Sequence, residues 1–259
     1  MADSQGGRWV EVPPERLVRW VENFTQRHGP AVAEPGPEVV VLRASDGTIA
    51  ACHPPFPPLP QPQPNEGELE EPPTEGQRDP AVRRGEGQRD PARQAELMAA
   101  RDPTRQAELM AAHAAADRTV GVLLVRLGGH AVGVFTGDPP QLAASKTGSR
   151  LVHGRAAAGG WSQRRFARRR ENQAAAALQA AADTALGVLG PYEGRLDAVV
   201  LGGDRRAMAG VRADPRLAPF IALAVERFLT VPDPRLAVLK DTPRLFRAIR
   251  IRLTEPGPT

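Results

Sequence analysis

The stretch KTGSRLVHGRAAAGGWSQRRFARRRENQ, residues 146 to 173, decides how the rest of the chain is read. From Gln141 through Arg170 there is no Asp or Glu, while Lys146, Arg150, Arg155, Arg164, Arg165, Arg168, Arg169 and Arg170 are all cationic. The whole chain is only +4 at neutral pH, so these eight charges leave the remainder net negative. Basicity is concentrated here rather than spread. Gly148, Gly154, Gly159 and Gly160 with little hydrophobic pattern read as a basic loop over 141–162 containing extended pieces. From Gln163 to Leu189 good helix formers dominate, Ser162 is a suitable N-cap, and Gly190-Pro191 ends the run.

At ~100° per residue Arg164, Arg165, Arg168 and Arg169 fan over one side of this helix, and Phe166, Ala177, Ala181 and Val188 fall on the other. The apolar side is expected to pack on a sheet. Arginines in a first turn sit where the helix dipole is already positive, and Arg164 and Arg165 have no acidic residue three or four positions away. A polyanion is the natural missing partner, and guanidinium groups beside a helix N-terminus suit phosphates.

These residues resemble a known family. Gly159-Gly160, then Ser162, then Arg165-Phe166-Ala167-Arg168 is similar to the catalytic loop and following helix of eukaryotic and archaeal class-one peptide release factors, which carry a Gly-Gly-Gln tip, a Ser and an Arg-Phe-Ala-Arg helix. His153-Gly154-Arg155 upstream extends the match. Trp161 stands where those factors have glutamine, and Gln163 lies two residues on. That displacement resembles the Vms-like release factors (the VLRF family), in which a Gly-x-x-Gln arrangement, here Gly160-Trp161-Ser162-Gln163, takes over. The string GGWSQRRFARRREN looks like the actinobacterial branch.

Outward from this stretch, 259 residues allow one large or two small domains, and a 41% apolar share supports a core. Residues 1–53 read as the N-terminal part of that core. GRWVEV is a short strand, and Pro13-Pro14 introduces a helix with Leu17, Val18, Val21 and Phe24 on one face. VVVLRASDGTIAAC is a hairpin turning through Ser45-Asp46-Gly47. From His53 the composition shifts: PPFPPLPQPQP is followed by GQRDPA at 76 and 87 and RQAELMAA at 93 and 105. We read 54–117 as a disordered, duplicated insert with only transient helix between Gln94 and Ala116.

The core resumes over 118–254, followed by a 255–259 tail. TVGVLLVRL and HAVGVFTG form a second hairpin of central strands. LDAVVLGG is a buried strand leading to a helix near Asp204. Phe220 to Val231 fits helix or strand equally, Pro232 and Pro234 introduce a helix through about Phe246, and AIRIRL is a closing strand. The fold class is α/β, a mixed sheet with packed helices, and the resemblance implies a ribonuclease-H-like release-factor catalytic domain interrupted by the insert.

No Gly-x-Ser-x-Gly elbow, HExxH or Walker loop is present. Cys52-His53 lacks nearby metal-ligand partners, and Asp197 and Asp204 only flank a strand. No metal or cofactor is expected. The lone Cys52, the polar N-terminus and the lack of a ~20-residue apolar run give the expectation of a cytoplasmic chain without a membrane anchor.

The resemblance implies a peptidyl-tRNA hydrolase acting with the large ribosomal subunit, its rRNA and peptidyl-tRNA as partners, as a monomer and without DNA. It assigns Gln163 to orienting water at the ester, with Gly159 and Gly160 letting the backbone enter a narrow RNA cavity. Trp161 either stacks on a base or anchors the loop, and His153 either donates to RNA or stiffens the loop. Arg164, Arg165, Arg168 and Arg169 would hold phosphates, with Lys146, Arg150 and Arg155 steering. The alternative is a non-catalytic ribosome- or RNA-binding module built on the arginine helix.

Overall fold

A computed structural model describes residues 7–60, 98–126, 128–149 and 162–256, with the backbone alone over 162–170. In chain order the elements are β1 (Arg8–Val12), α1 (Pro14–His28), β2 (Ala31–Glu34), β3 (Val40–Ala44), β4 (Ile49–His53), α2 (Pro103–Ala115), β5 (Val120–Arg126), β6 (Gly129–Thr136) and β7 (Gln141–Ser149). There follow α3 (Ser162–Leu189), β8 (Ala198–Gly203), α4 (Arg205–Arg212), α5 (Ala218–Ala222), β9 (Ala224–Leu229), α6 (Leu236–Lys240), α7 (Thr242–Phe246) and β10 (Ile249–Thr254). The chain divides into two compact units, Met1–His113 with Arg250–Thr259, and Ala114–Ile249.

The first unit carries a five-stranded sheet in the order β1-β10-β4-β3-β2. Pro14 opens α1, where a missing N–H costs nothing, and Leu17, Val21 and Phe24 bury one stripe of that helix. The β3–β4 turn forms because Asp46 Oδ1 accepts from the Thr48 N–H at 2.8 Å while Gly47 takes a φ of 88°. The closing strand β10 pairs antiparallel with β4, from Arg250 opposite His53 to Thr254 opposite Ile49. A single core sheet running from 1–53 into 118–254 was the expectation; two sheets are found, and the end of the chain returns to the first of them.

The expectation of a disordered insert over 54–117 is corrected at both ends. Phe56 and Leu59 are buried, and the Leu59 N–H donates to Pro37 at 2.7 Å. At the other end, α2 contains the second RQAELMAA copy as a packed helix. Asp102 caps it by accepting from the Thr104 and Arg105 N–H groups at 2.7 and 3.0 Å, and Ala107, Met110 and Ala114 are buried. A segment too polar to bury a core alone forms a helix once its narrow apolar stripe is buried in the folded chain. Residues 61–97, which hold both GQRDPA copies and the start of the first RQAELMAA, lie outside the described residues.

The second unit is built on a sheet ordered β7-β6-β5-β8-β9. β6 pairs antiparallel with both β5 and β7, whereas β5–β8 and β8–β9 are parallel. Counted by appearance, the strands lie third, second, first, fourth, fifth, a mixed sheet with packed helices as expected. β5 is buried at every position from Val120 to Val125 because both faces are covered. Leu123, Val125, Val132 and Val134 pack with Ala181, Ala185, Val188 and Leu189 of α3 and with Met208 of α4. Elsewhere in the unit, Phe135 meets Phe246 edge-on at 5.8 Å.

The 220–231 ambiguity resolves into both answers, since α5 ends at Ala222 and β9 begins at Ala224. The helix expected through Phe246 is instead two short ones, α6 and α7, with Pro243 starting the second. The helix near Asp204 forms as expected. Gly203, at φ 104°, makes the turn out of β8, and Asp204 Oδ1 accepts from the Ala207 N–H at 2.7 Å. Replacing Asp204 with alanine is expected to cost about 1 kcal/mol, read as a fall in Tm of about 2–4 °C by calorimetry.

Candidate nucleic-acid interface

Two elements frame the basic stretch. The sheet-edge strand β7 runs to Ser149, where it lies opposite Gly129 of β6, and α3 begins at Ser162. The basic loop expected over 141–162 is therefore corrected at its start: Gln141–Ser149 is a strand. Its sequence hides this, because alternating half-exposed residues on an edge need no apolar pattern. Lys146 is exposed on β7 opposite Val132. Arg150, His153, Arg155, Gly159, Gly160 and Trp161 lie outside the described residues. Gln163, Arg164, Arg165, Arg168 and Arg169 belong to the first turns of α3, with their side chains outside the described residues.

The buried part of α3 fixes the phase of the whole helix. Ala181, Thr184, Ala185 and Val188 are buried, and Ala174, Ala177 and Leu178 are half-buried on the same line. Counting ~100° per residue back from Ala181 puts positions 164, 168, 165 and 169 between about 100° and 240°, opposite the buried stripe. Position 163 returns to ~0°, in line with the stripe, and position 170 lies ~20° from it. The arginine quartet and the glutamine thus occupy different sides of the first turns. Arg168 differs from its neighbours in having Glu171 three positions on.

Among the described side chains of α3, none from 171 to 180 is fully buried, and full burial begins at Ala181 toward its C-terminal end. Three contacts hold that end in register. The His130 ring on β6, 7% exposed, has Nε2 at 2.9 Å from Thr184 Oγ1 near the C-terminal end of α3. Gly148 of β7 makes room for that ring, since a Cβ there would come 2.5 Å from His130 Cε1. Gly210 of α4 meets α3 closely, a Cβ there standing 2.6 Å from Leu178 Cδ1. Arg216, beyond α4, donates to Asp183 of α3 at 2.9 Å and to Asp214 at 2.6 Å. Those hydrogen bonds hold Asp214 below the usual carboxylate range. A crevice between the β5–β6 turn and α3 is lined by Arg126, Gly128, Gly129, His130, Ala174 and Ala177, among others.

His130 and Thr184 were not singled out by sequence reasoning, and Gly148 only as a loop glycine; no local signal marks the contact, since 54 residues separate the two hydrogen-bonded side chains. Replacing Thr184 with valine keeps the shape and removes the bond. The expected cost is about 1 kcal/mol, measured by denaturant titration as a lower midpoint with unchanged slope. Asp197 and Asp204 are both engaged by backbone, Asp197 Oδ2 accepting from the Thr119 N–H at 2.7 Å and Asp204 from Ala207 at 2.7 Å. They stand at opposite ends of β8. Among the described residues no helix is long and apolar enough to cross a membrane.

Residues 118–252, more than half of the chain's 259, match the family described as Actinobacteria/chloroflexi VLRF1 release factor. No curated protein sequence matches the chain. Among solved structures, that of the archaeal translation termination factor aRF1 is similar with 13% identity and a TM-score of 0.36, over 50% of this chain and 36% of that one.

Proposed function

The chain belongs to the Actinobacteria/chloroflexi VLRF1 release factor family, and from that premise we propose that it is a peptidyl-tRNA hydrolase that frees nascent chains from stalled or split ribosomes without reading a stop codon. The observation that carries this reading is that the family match, 118–252, spans the whole loop and α3 together, so Gly159, Gly160, Gln163 and the arginine quartet fall within it.

The substrate is the ester joining the nascent peptide to the tRNA 3′ end. Its hydrolysis is downhill, and a well-placed water attacks the carbonyl carbon while the ribose oxygen leaves. A neutral amide is a poor base. Gln163 contributes instead by accepting a hydrogen bond from the water through its carbonyl and donating to the developing oxyanion through its NH2 or backbone N–H. The first-turn N–H groups of α3 have no acceptor within the helix, which places partial positive charge at the same spot. Gly159 and Gly160 slim the tip so that it enters the peptidyl-transferase cavity of the large subunit. Trp161 stacks on a base or anchors the loop there.

Arg164, Arg165, Arg168 and Arg169 hold rRNA or acceptor-stem phosphates, while Lys146, Arg150 and Arg155 steer the approach. The separation of position 163 from the quartet around α3 supports a division of labour in which one side grips RNA and the other faces the ester. No metal or cofactor is required, the working species is a cytoplasmic monomer, and DNA is not a target.

The test is release of labelled peptide from peptidyl-tRNA on isolated large subunits. Release dependent on added protein supports the hydrolase. Binding without release sinks it and leaves a ribosome-binding module built on the arginine helix.

A further inference from the structure

The first unit presents a sheet face whose chemistry is unlike a passive surface. Trp9 on β1 is 40% exposed. The Arg250 guanidinium of β10 lies 4.4 Å from the centre of its ring, and the His53 imidazole of β4 stands 5.4 Å away, tilted by 46°. Arg250 and His53 are register partners, so β1, β10 and β4 each give one side chain to the cluster. Arg252, two residues along β10, lies on the same face, beside Gly7. The other face holds the buried side chains Val40, Leu42, Ala50, Cys52 and Ile251. Burial and the adjacent Arg250 and Arg252 charges press the His53 pKa below its ordinary value, which leaves the ring neutral.

We propose that this face is a second RNA-contact surface, on which an unpaired nucleotide of single-stranded RNA stacks against Trp9 while Arg250 and Arg252 meet its phosphates. An open sheet displaying an aromatic ring flanked by guanidinium groups can take a splayed base on the ring and the charged backbone beside it. Glu34, on the far strands β2 and β3, is held by Arg43 at 2.8 Å. Arg250 has no acidic partner among the described residues, and its guanidinium is drawn over an exposed ring, where stacking adds to phosphate contact. The inference does not depend on ester hydrolysis by the second unit.

The test uses the full chain with all eight cations from Lys146 to Arg170 changed to glutamine, so that the other basic surface is silent. Its affinity for fluorescein-labelled twelve-nucleotide oligouridine and oligoadenine is read by anisotropy across a salt series. Trp9→Ala should weaken binding about tenfold, while Trp9→Phe retains most of it. Arg250→Gln should lower the slope of log K against log salt by about 0.7. With the native chain, ultraviolet crosslinking of a 4-thiouridine oligomer should label the peptide containing Trp9, a readout indifferent to mutant folding. The proposal is overturned if Trp9→Ala binds like its parent, if crosslinks avoid that peptide, or if polyglutamate displaces RNA as well as unlabelled RNA does. The last result would assign the face to an acidic protein partner. Peptide release by Trp9→Ala separates this from the hydrolase reading, because it should proceed at the wild-type rate on saturating ribosomes.

Discussion

Replacing Gln163 with alanine lowers peptide release on the order of 10²–10³-fold, the cost of deleting one positioned donor to a developing oxyanion. The substitution removes the side-chain amide alone. It leaves the helix intact, because alanine is the best helix former, and it removes no charge. RNA affinity should therefore stay within about twofold, since phosphate contacts carry the affinity. The measurement is single-turnover release at saturating protein, where binding cannot limit the rate, paired with a subunit-binding assay. A Gln163→Ala protein that releases at full rate would remove the catalytic reading altogether. Loss of both release and binding would mean that Gln163 holds the loop rather than the water.

Changing Arg164, Arg165, Arg168 and Arg169 together to glutamine has the complementary signature. Four phosphate contacts on single-stranded or irregular RNA contribute a slope of about −3 in log K against log salt, which at 0.1 M amounts to about 10²–10³ in affinity. The variant should lose that much ribosome binding near physiological salt and little near 1 M. Release at saturating protein should survive, because the quartet lies on the side of α3 opposite position 163. Salt-dependent subunit binding checks the first statement and single-turnover release the second. If the slope does not change, the arginines form only a solvated helix face. The two variants fail in opposite assays, so each controls for the other.

The placement of position 163 and the arginine quartet around α3 was only half legible in the sequence. The 3.6-residue period displayed the arginine fan, but which stripe of the helix is buried depends on Ala181, Thr184, Ala185 and Val188 meeting the sheet. The angle between position 163 and the quartet follows from the helical period alone, and the packing adds that position 163 lies in line with the buried stripe. The strand β7 was missed for a related reason. An edge strand is specified by the partner beside it, here β6, and its own half-exposed residues carry little pattern. The second RQAELMAA copy read as linker because its buried stripe, Ala107 and Met110, is narrow and carries little pattern by itself.

What the sequence by itself determined is what short-range physics encodes. Pro14 starts α1, Asp46 and Gly47 turn the first hairpin, Asp204 caps α4, and the run from Ser162 to Leu189 is one helix. The string from Gly159 to Gln163 is contiguous and so carries the family resemblance by itself. The tertiary structure alone decided pairings between distant strands. Ile249–Thr254 has the alternation of a strand, yet nothing within it names β4, some 200 residues earlier, as its neighbour. Nor does any local signal bring Trp9, His53 and Arg250 together, or His130 to Thr184. Backbone preference acts over a few residues, whereas the choice of partner is made by burial and hydrogen bonding across the folded sheet, and only the folded chain holds that information.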